Sequence, residues 1–131
     1  MSKNRPFSLA ARLTSFVHAG RGLKFVLQNE HNAWIHAFLT VVVIFLAIVL
    51  RISAREWCLL ILAMSLVWIT ETLNTAIEHL TDLVSPDHHP LAGKVKDIAA
   101  GAVLLAAIAA LLIGATIFIP HLQMSLLPRR G

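Results

Sequence analysis

Residues 58–82 read CLLILAMSLVWITETLNTAIEHLTD. From Cys58 to Thr70 there is no charged side chain, which is the composition of a helix crossing lipid. Then, with no glycine or proline to stop the helix, Glu71, Asn74, Glu78 and Asp82 follow. Offsets of three, seven and eleven residues from Glu71 put all four on one helix face. Trp57, just before the run, reads as an interfacial aromatic. Glu71 lies roughly 21 Å beyond it at the usual helical rise. In a hydrocarbon core of about 30 Å that is still inside the membrane, with Glu78 near the boundary. An ionisable group at such depth costs several kcal/mol and is a functional candidate by default. A carboxylate there suits a general base. A structural hydrogen bond between helices would account for Glu71 alone, but poorly for Glu71, Asn74 and Glu78 together.

Working outward, the span holding this stretch covers 57–84 and ends at the polar segment Ser85 to Pro90. An earlier span, 33–50, has no ionisable residue after His36, and Arg51 and Arg55 mark a short connection after it. A later span, 97–119, is rich in alanine and glycine, including Gly101 and Gly114, residues that let membrane helices approach closely. Pro120 is expected to close it. Residues 8–28 read as an amphipathic helix lying in the membrane interface. Leu9, Leu13, Phe16, Val17 and Leu27 fall near one stripe and Arg12, Ser15, Arg21, Lys24 and Gln28 largely elsewhere, while Gly20 and Gly22 weaken it. The expectation is one all-α integral membrane domain over 1–131.

Composition agrees. A chain of 131 residues that is 57% hydrophobic and 14% charged has too little interior to hide its apolar surface from water. The single cysteine, Cys58, excludes an internal disulfide and any CxxC motif. No removable signal peptide is read at the N-terminus, where a short polar stretch leads into an amphipathic one. The net charge of +4 comes from bases beside membrane helices, which suits anionic lipid headgroups and not nucleic acid. With the N-terminus inside, seven bases (Lys3, Arg5, Arg12, Arg21, Lys24, Lys94, Lys96) face four (Arg51, Arg55, Arg129, Arg130). Of the acids, Glu56 alone falls on the outer side.

Two carboxylates expected at the inner boundary, Glu30 and Glu78, suit Mg²⁺, which takes oxygen ligands, keeps several waters and shares substrate phosphates. Glu30 also reads as an ordinary solvated charge. Lys94, Lys96 and Asp97 are expected where the loop enters the third span. Lysines oppose the helix dipole there but would meet phosphate beside free backbone N–H groups; a positive-inside anchor is the plain alternative. His31 and His36 are not at i, i+4 and no HExxH occurs, which argues against zinc. No GxxxxGK[ST] occurs, so a nucleotide would not use a P-loop. The residues alone leave three classes: a phosphotransferase, a proton-coupled transporter working through Glu71, and a non-catalytic helical scaffold.

The run Glu71-Thr72-Leu73-Asn74-Thr75-Ala76-Ile77-Glu78, followed by Asp82, Lys96-Asp97 and Ala102-Val103-Leu104, resembles the prokaryotic diacylglycerol kinase family, which includes undecaprenol kinases. The resemblance runs from about Ser15 to Ile119. It implies a homotrimer in the bacterial inner membrane, each subunit with three membrane helices and an N-terminal surface helix, and active sites between subunits. It implies transfer of the ATP γ-phosphate to a long-chain lipid alcohol at the cytoplasmic interface, with Mg²⁺. By matching position Glu71 would be the general base, with Asn74 positioning groups near it. Glu30 and Glu78 would hold metal ions. Lys96 and Asp97 would contact the nucleotide, and Asp87, His88 and His89 would line its site. His18 stands where relatives often carry tyrosine near the nucleotide. A family basic residue falls at Ala11, which makes adjacent Arg12 the expected substitute. Asn32-Ala33-Trp34-Ile35-His36 and Ser85-Pro86-Asp87-His88-His89-Pro90-Leu91 resemble the Gram-positive type and tilt the substrate toward undecaprenol over diacylglycerol.

Overall fold

The computed structural model describes residues 8–87 and 89–126, which form four helices and, among the described residues, no strand. They are α1 (Leu9–Asn29), α2 (His31–Val49), α3 (Ala54–Val84) and α4 (Pro90–Leu126). Three of them, α2, α3 and most of α4, are long and apolar enough to cross a membrane. Large apolar side chains such as Phe38, Phe45, Leu105 and Leu111 are more than half exposed, the reverse of a water-soluble surface. The protein is a multi-pass membrane protein.

Local chemistry sets each boundary. Ser8 caps α1, its hydroxyl accepting from Ala11 N at 3.4 Å. A single extended residue, Glu30 (φ −99°, ψ 121°), ends α1 and begins α2, so its side chain sits at a corner of the fold. Its N–H donates to the Val26 carbonyl at 3.0 Å. The end of α2 is a Schellman motif. Arg51 takes φ 52°, its N–H donates to Ile48 O at 3.2 Å, and Ile52 N–H donates to Ala47 O at 3.3 Å. A reciprocal capping box of Ser53 and Glu56 then starts α3. The Glu56 carboxylate accepts from both the N–H and the hydroxyl of Ser53 at 2.7 Å.

The last helix departs from its expected limits at both ends. It begins at Pro90, not near Asp97. His89 supplies the cap: its carbonyl accepts from Gly93 N and its Nδ1 from Leu91 N, each at 3.2 Å. Lys94 and Lys96 therefore lie past the free N–H groups of the helix start, and the anion site expected there is not formed at their own backbone. Nor does Pro120 close the helix; it lies inside it. Proline removes one bond, to the carbonyl four residues back, but buried Ile117 and a His121–Glu56 contact of 3.0 Å hold the chain on either side.

Most tertiary contact is between α3 and α4, with α2 resting on α3 and α1 touching both α2 and α3 lightly. The apolar core sits at the α2–α3 turn, where Ala47, Ile52, Leu60 and Ile117 are buried against one another. Trp57, expected at the lipid interface, packs half-buried against this cluster. The glycines of α4 make no close approach to a neighbouring helix within the chain. A Cβ on Gly101 would meet nothing within 4 Å, and one on Gly114 would touch only Phe118 of the same helix, at 3.9 Å.

Candidate active site

The other end of the α3–α4 pair is built differently. On α3 the stripe Glu71, Asn74, Glu78 and Asp82 runs toward the helix end. On α4 the positions Lys96, Ala100, Val103 and Ala107 form a stripe of matching helical spacing running the opposite way. Asp82 and Lys96 join the two as an ion pair. Between that pair and Glu71 the helices leave a cavity of about 290 Å³. One wall carries Glu71, Asn74 and Glu78 from α3 with Asn32 and His36 from α2. The α4 wall contributes Ala100, Val103, Leu104 and Ala107, none of them polar. A second, apolar cavity of about 450 Å³ lies deeper between α2, α3 and α4, and His36 and Ala107 line both.

Glu71 is the largest fully buried side chain among the described residues, 1% exposed. Among the described residues its Oε2 has no hydrogen-bond partner, and neither does Asn74 Oδ1. Each such buried atom costs about 1–3 kcal/mol. The nearest complementary group to Glu71 Oε2 is His36 Nε2 at 3.6 Å, in ion-pair range but too long for a hydrogen bond. Asn74 Nδ2 donates to Glu78 Oε1 at 2.8 Å, so these two are already aligned. Thr75, also buried, turns its hydroxyl back onto the Glu71 carbonyl at 3.1 Å.

The residues expected to act divide into those the fold gathers and those it does not. Glu71, Asn74 and Glu78 come together as their spacing requires. Glu30 stands outside the cavity wall at its α1–α2 corner, facing His79 of α3, whose Nε2 is 3.8 Å from Glu30 Oε1. The His79 ring meets Phe25 edge-on at 5.2 Å. Of the expected nucleotide ligands, Arg12 and His18 lie on the exposed half of α1, Asp87 in the α3–α4 loop and Asp97 on an exposed position of α4. None of these lines the cavity. His89 spends its ring nitrogen capping α4, and Lys96 is held by Asp82. His88 lies outside the described residues.

Among the described residues no three His, Cys, Asp or Glu side chains gather as a closed metal cage. Glu30 and Glu78 are oxygen donors of the kind an open Mg²⁺ site completed by water and phosphate uses, but of the two only Glu78 lines the cavity. Sequence alone gives Asn32, His36 and His79 no place at the site, and the structure sets Asn32 and His36 in the cavity wall and His79 against Glu30. In sequence His36 bears only on zinc, which its spacing from His31 argues against, and on the stretch Asn32 to His36 that resembles the Gram-positive type. The available signal was its place one turn after Asn32, as the last ionisable residue before a long apolar run.

Residues 17–118 match the family described as prokaryotic diacylglycerol kinase. An undecaprenol kinase of Bacillus subtilis is 40% identical over 121 residues, covering 92% of this chain and 98% of the relative. A diacylglycerol kinase of Synechocystis is 44% identical over 111 residues, 84% of this chain and 63% of that protein. A diacylglycerol kinase of Escherichia coli is 33% identical over 95 residues, 72% of this chain and 78% of that protein.

Proposed function

We propose, from the premise that this chain belongs to the prokaryotic diacylglycerol kinase family and is a membrane lipid kinase, that it moves the γ-phosphate of ATP to the hydroxyl of a long-chain lipid alcohol at the cytoplasmic face of the bacterial inner membrane. The observation that carries the reading is Glu71: a carboxylate sealed from solvent, lining a cavity, with an oxygen no protein group satisfies. A proton acceptor for a substrate hydroxyl has that character, and phosphoryl transfer asks little more of a protein than positioning and charge neutralisation.

In this mechanism Glu71 accepts the hydroxyl proton as the lipid oxygen bonds to the γ-phosphorus and ADP departs. Asn74 holds Glu78 in place through its amide. Glu30 and Glu78 would hold Mg²⁺, which would supply neutralisation of phosphate charge. Lys96, Asp97, Asp87, His88, His89, Arg12 and His18 would serve the nucleotide. None of the described residues among these lines the cavity of its own chain, which favours a homotrimer in which neighbouring copies complete each site. α1 would lie in the membrane interface, with its apolar residues Leu9, Leu13 and Phe16 in lipid. Undecaprenol is favoured over diacylglycerol, since the undecaprenol kinase of Bacillus subtilis aligns over 98% of its own length.

The test is transfer of labelled phosphate from ATP and Mg²⁺ by purified protein in detergent, with undecaprenol and diacylglycerol side by side. Phosphorylation of undecaprenol is expected to be faster, and Glu71→Gln to lower turnover by about 10²–10⁴-fold, the usual contribution of a positioned base. A Glu71→Gln protein as fast as wild type removes Glu71 from the role.

A further inference from the structure

We infer that His36 is a positioning residue for this phosphotransfer: its Nε2–H steers Glu71 Oε2 and so fixes which face of the carboxylate meets the substrate hydroxyl. The inference rests on the reading of Glu71 as the base. Four features of the structure lead to it. First, His36 Nε2 is 3.6 Å from the one Glu71 oxygen that lacks a partner, and the two side chains are 14% and 2% exposed. The separation exceeds a hydrogen bond by roughly 0.6 Å, a gap of the kind that tightens when substrate enters. Second, the α4 wall offers Glu71 no polar side chain, so polar control of the carboxylate comes from α2 and from Glu71's own helix.

Third, His36 is braced. Trp68 of α3 meets its ring edge-on at 6.4 Å. The same indole donates from Nε1 to Thr40 Oγ1 at 3.1 Å, and the Thr40 hydroxyl donates to the His36 carbonyl at 2.7 Å. This chain ties α2 to α3 at the level where the imidazole must hold its place. Fourth, His36 lines both the cavity that holds Glu71, Asn74 and Glu78 and the apolar one. A lipid alcohol has the same junction, between its hydroxyl and its chain. A histidine there holds the acceptor carboxylate at the boundary where the hydroxyl arrives. The imidazole keeps its proton throughout; the proton that moves is the one on the hydroxyl, which passes to Glu71.

Two substitutions separate donor from bulk. Phenylalanine keeps the ring volume without a donor, while the amide nitrogen of glutamine reaches the place of Nε2. His36→Phe is expected to lower kcat by about 10–100-fold, the range for groups that orient a functional residue, with KM for ATP unchanged. His36→Gln is expected to recover most of that loss. Size-exclusion and helical circular dichroism establish that each variant is assembled. Wild-type rates in His36→Phe, or equal impairment in both assembled variants, would overturn the inference. If His36→Phe does not assemble, the ¹⁵N shift of His36 Nε2 decides. It should move between the wild type and Glu71→Gln, and an unchanged shift sinks the proposal. Full activity in Glu71→Gln would instead overturn the base assignment, whereas an inactive Glu71→Gln beside a fully active His36→Phe removes His36 alone.

Discussion

The two ends of the α3–α4 pair obey opposite rules. At the α2–α3 turn, apolar groups pack together and polar ones are matched: Ala47, Ile52, Leu60 and Ile117 form a buried cluster, Ser53 and Glu56 cap each other, and His121 bonds Glu56 across the helices. At the other end the same helices leave a cavity and bury a carboxylate and a carboxamide oxygen with no partner. Lipid makes the contrast sharper than water would. In a bilayer an unmatched polar atom has no solvent to fall back on, so it persists only where the assembly or a substrate uses it. The matched end is where the fold is held, and the unmatched end is where chemistry can be done.

If that division is right, removing the unmatched carboxylate should hurt activity and help stability. Glu71→Leu is expected to abolish measurable transfer, by about 10²–10⁴-fold or more, while the folded protein becomes more stable by about 1–3 kcal/mol as an unsatisfied buried group disappears. Thermal unfolding in detergent and the phosphate-transfer assay, run on the same preparation, measure both. A marked loss of stability would mean that Glu71 is part of the scaffold and that the contrast is false. Next in size is Glu78→Gln, which keeps an acceptor for Asn74 Nδ2 and removes the charge. It should raise the Mg²⁺ concentration for half-maximal rate by about 10–100-fold without altering thermal stability. An unchanged Mg²⁺ dependence would take Glu78 out of the metal site.

At the matched end the pattern should invert. Leu60→Ala opens a void in the buried cluster. Because lipid is as apolar as leucine, the cavity and contact terms remain but the transfer term largely does not. A loss of about 1–2 kcal/mol is expected, with kcat unchanged in the protein that stays folded. A lowered kcat at full folding would show that the two ends are coupled through α3.

How much of this was legible in sequence follows the same line. Contacts within one helix could be read: Glu71, Asn74 and Glu78 share a face because 3.6 residues make a turn, and the absence of glycine or proline carries α3 past the apolar run. Contacts between helices could not be. Nothing in spacing says that His36 of α2 meets Glu71 of α3, or that Lys96 of α4 pairs with Asp82 of α3. The ends of α4 lie beyond the reach of sequence for a related reason. His89 as a cap and His121 as an anchor are tertiary facts, and they override the local signals of a polar loop and of Pro120.

The smallest effect tests how finely the matched end is tuned. Arg51 holds the left-handed position of the Schellman motif at φ 52°, a place glycine takes without strain. A side chain there costs about 1–2 kcal/mol in local sterics, but glycine also loosens the unfolded chain by about 0.5–1 kcal/mol. The two terms oppose each other, so Arg51→Gly should stabilise by less than about 1 kcal/mol. The motif's bonds, from Ile52 N–H to Ala47 O and from Arg51 N–H to Ile48 O, do not involve the side chain and survive the change. Destabilisation would show that the arginine side chain itself holds the turn, most simply through headgroup contact, which a comparison of anionic with neutral lipid would reveal.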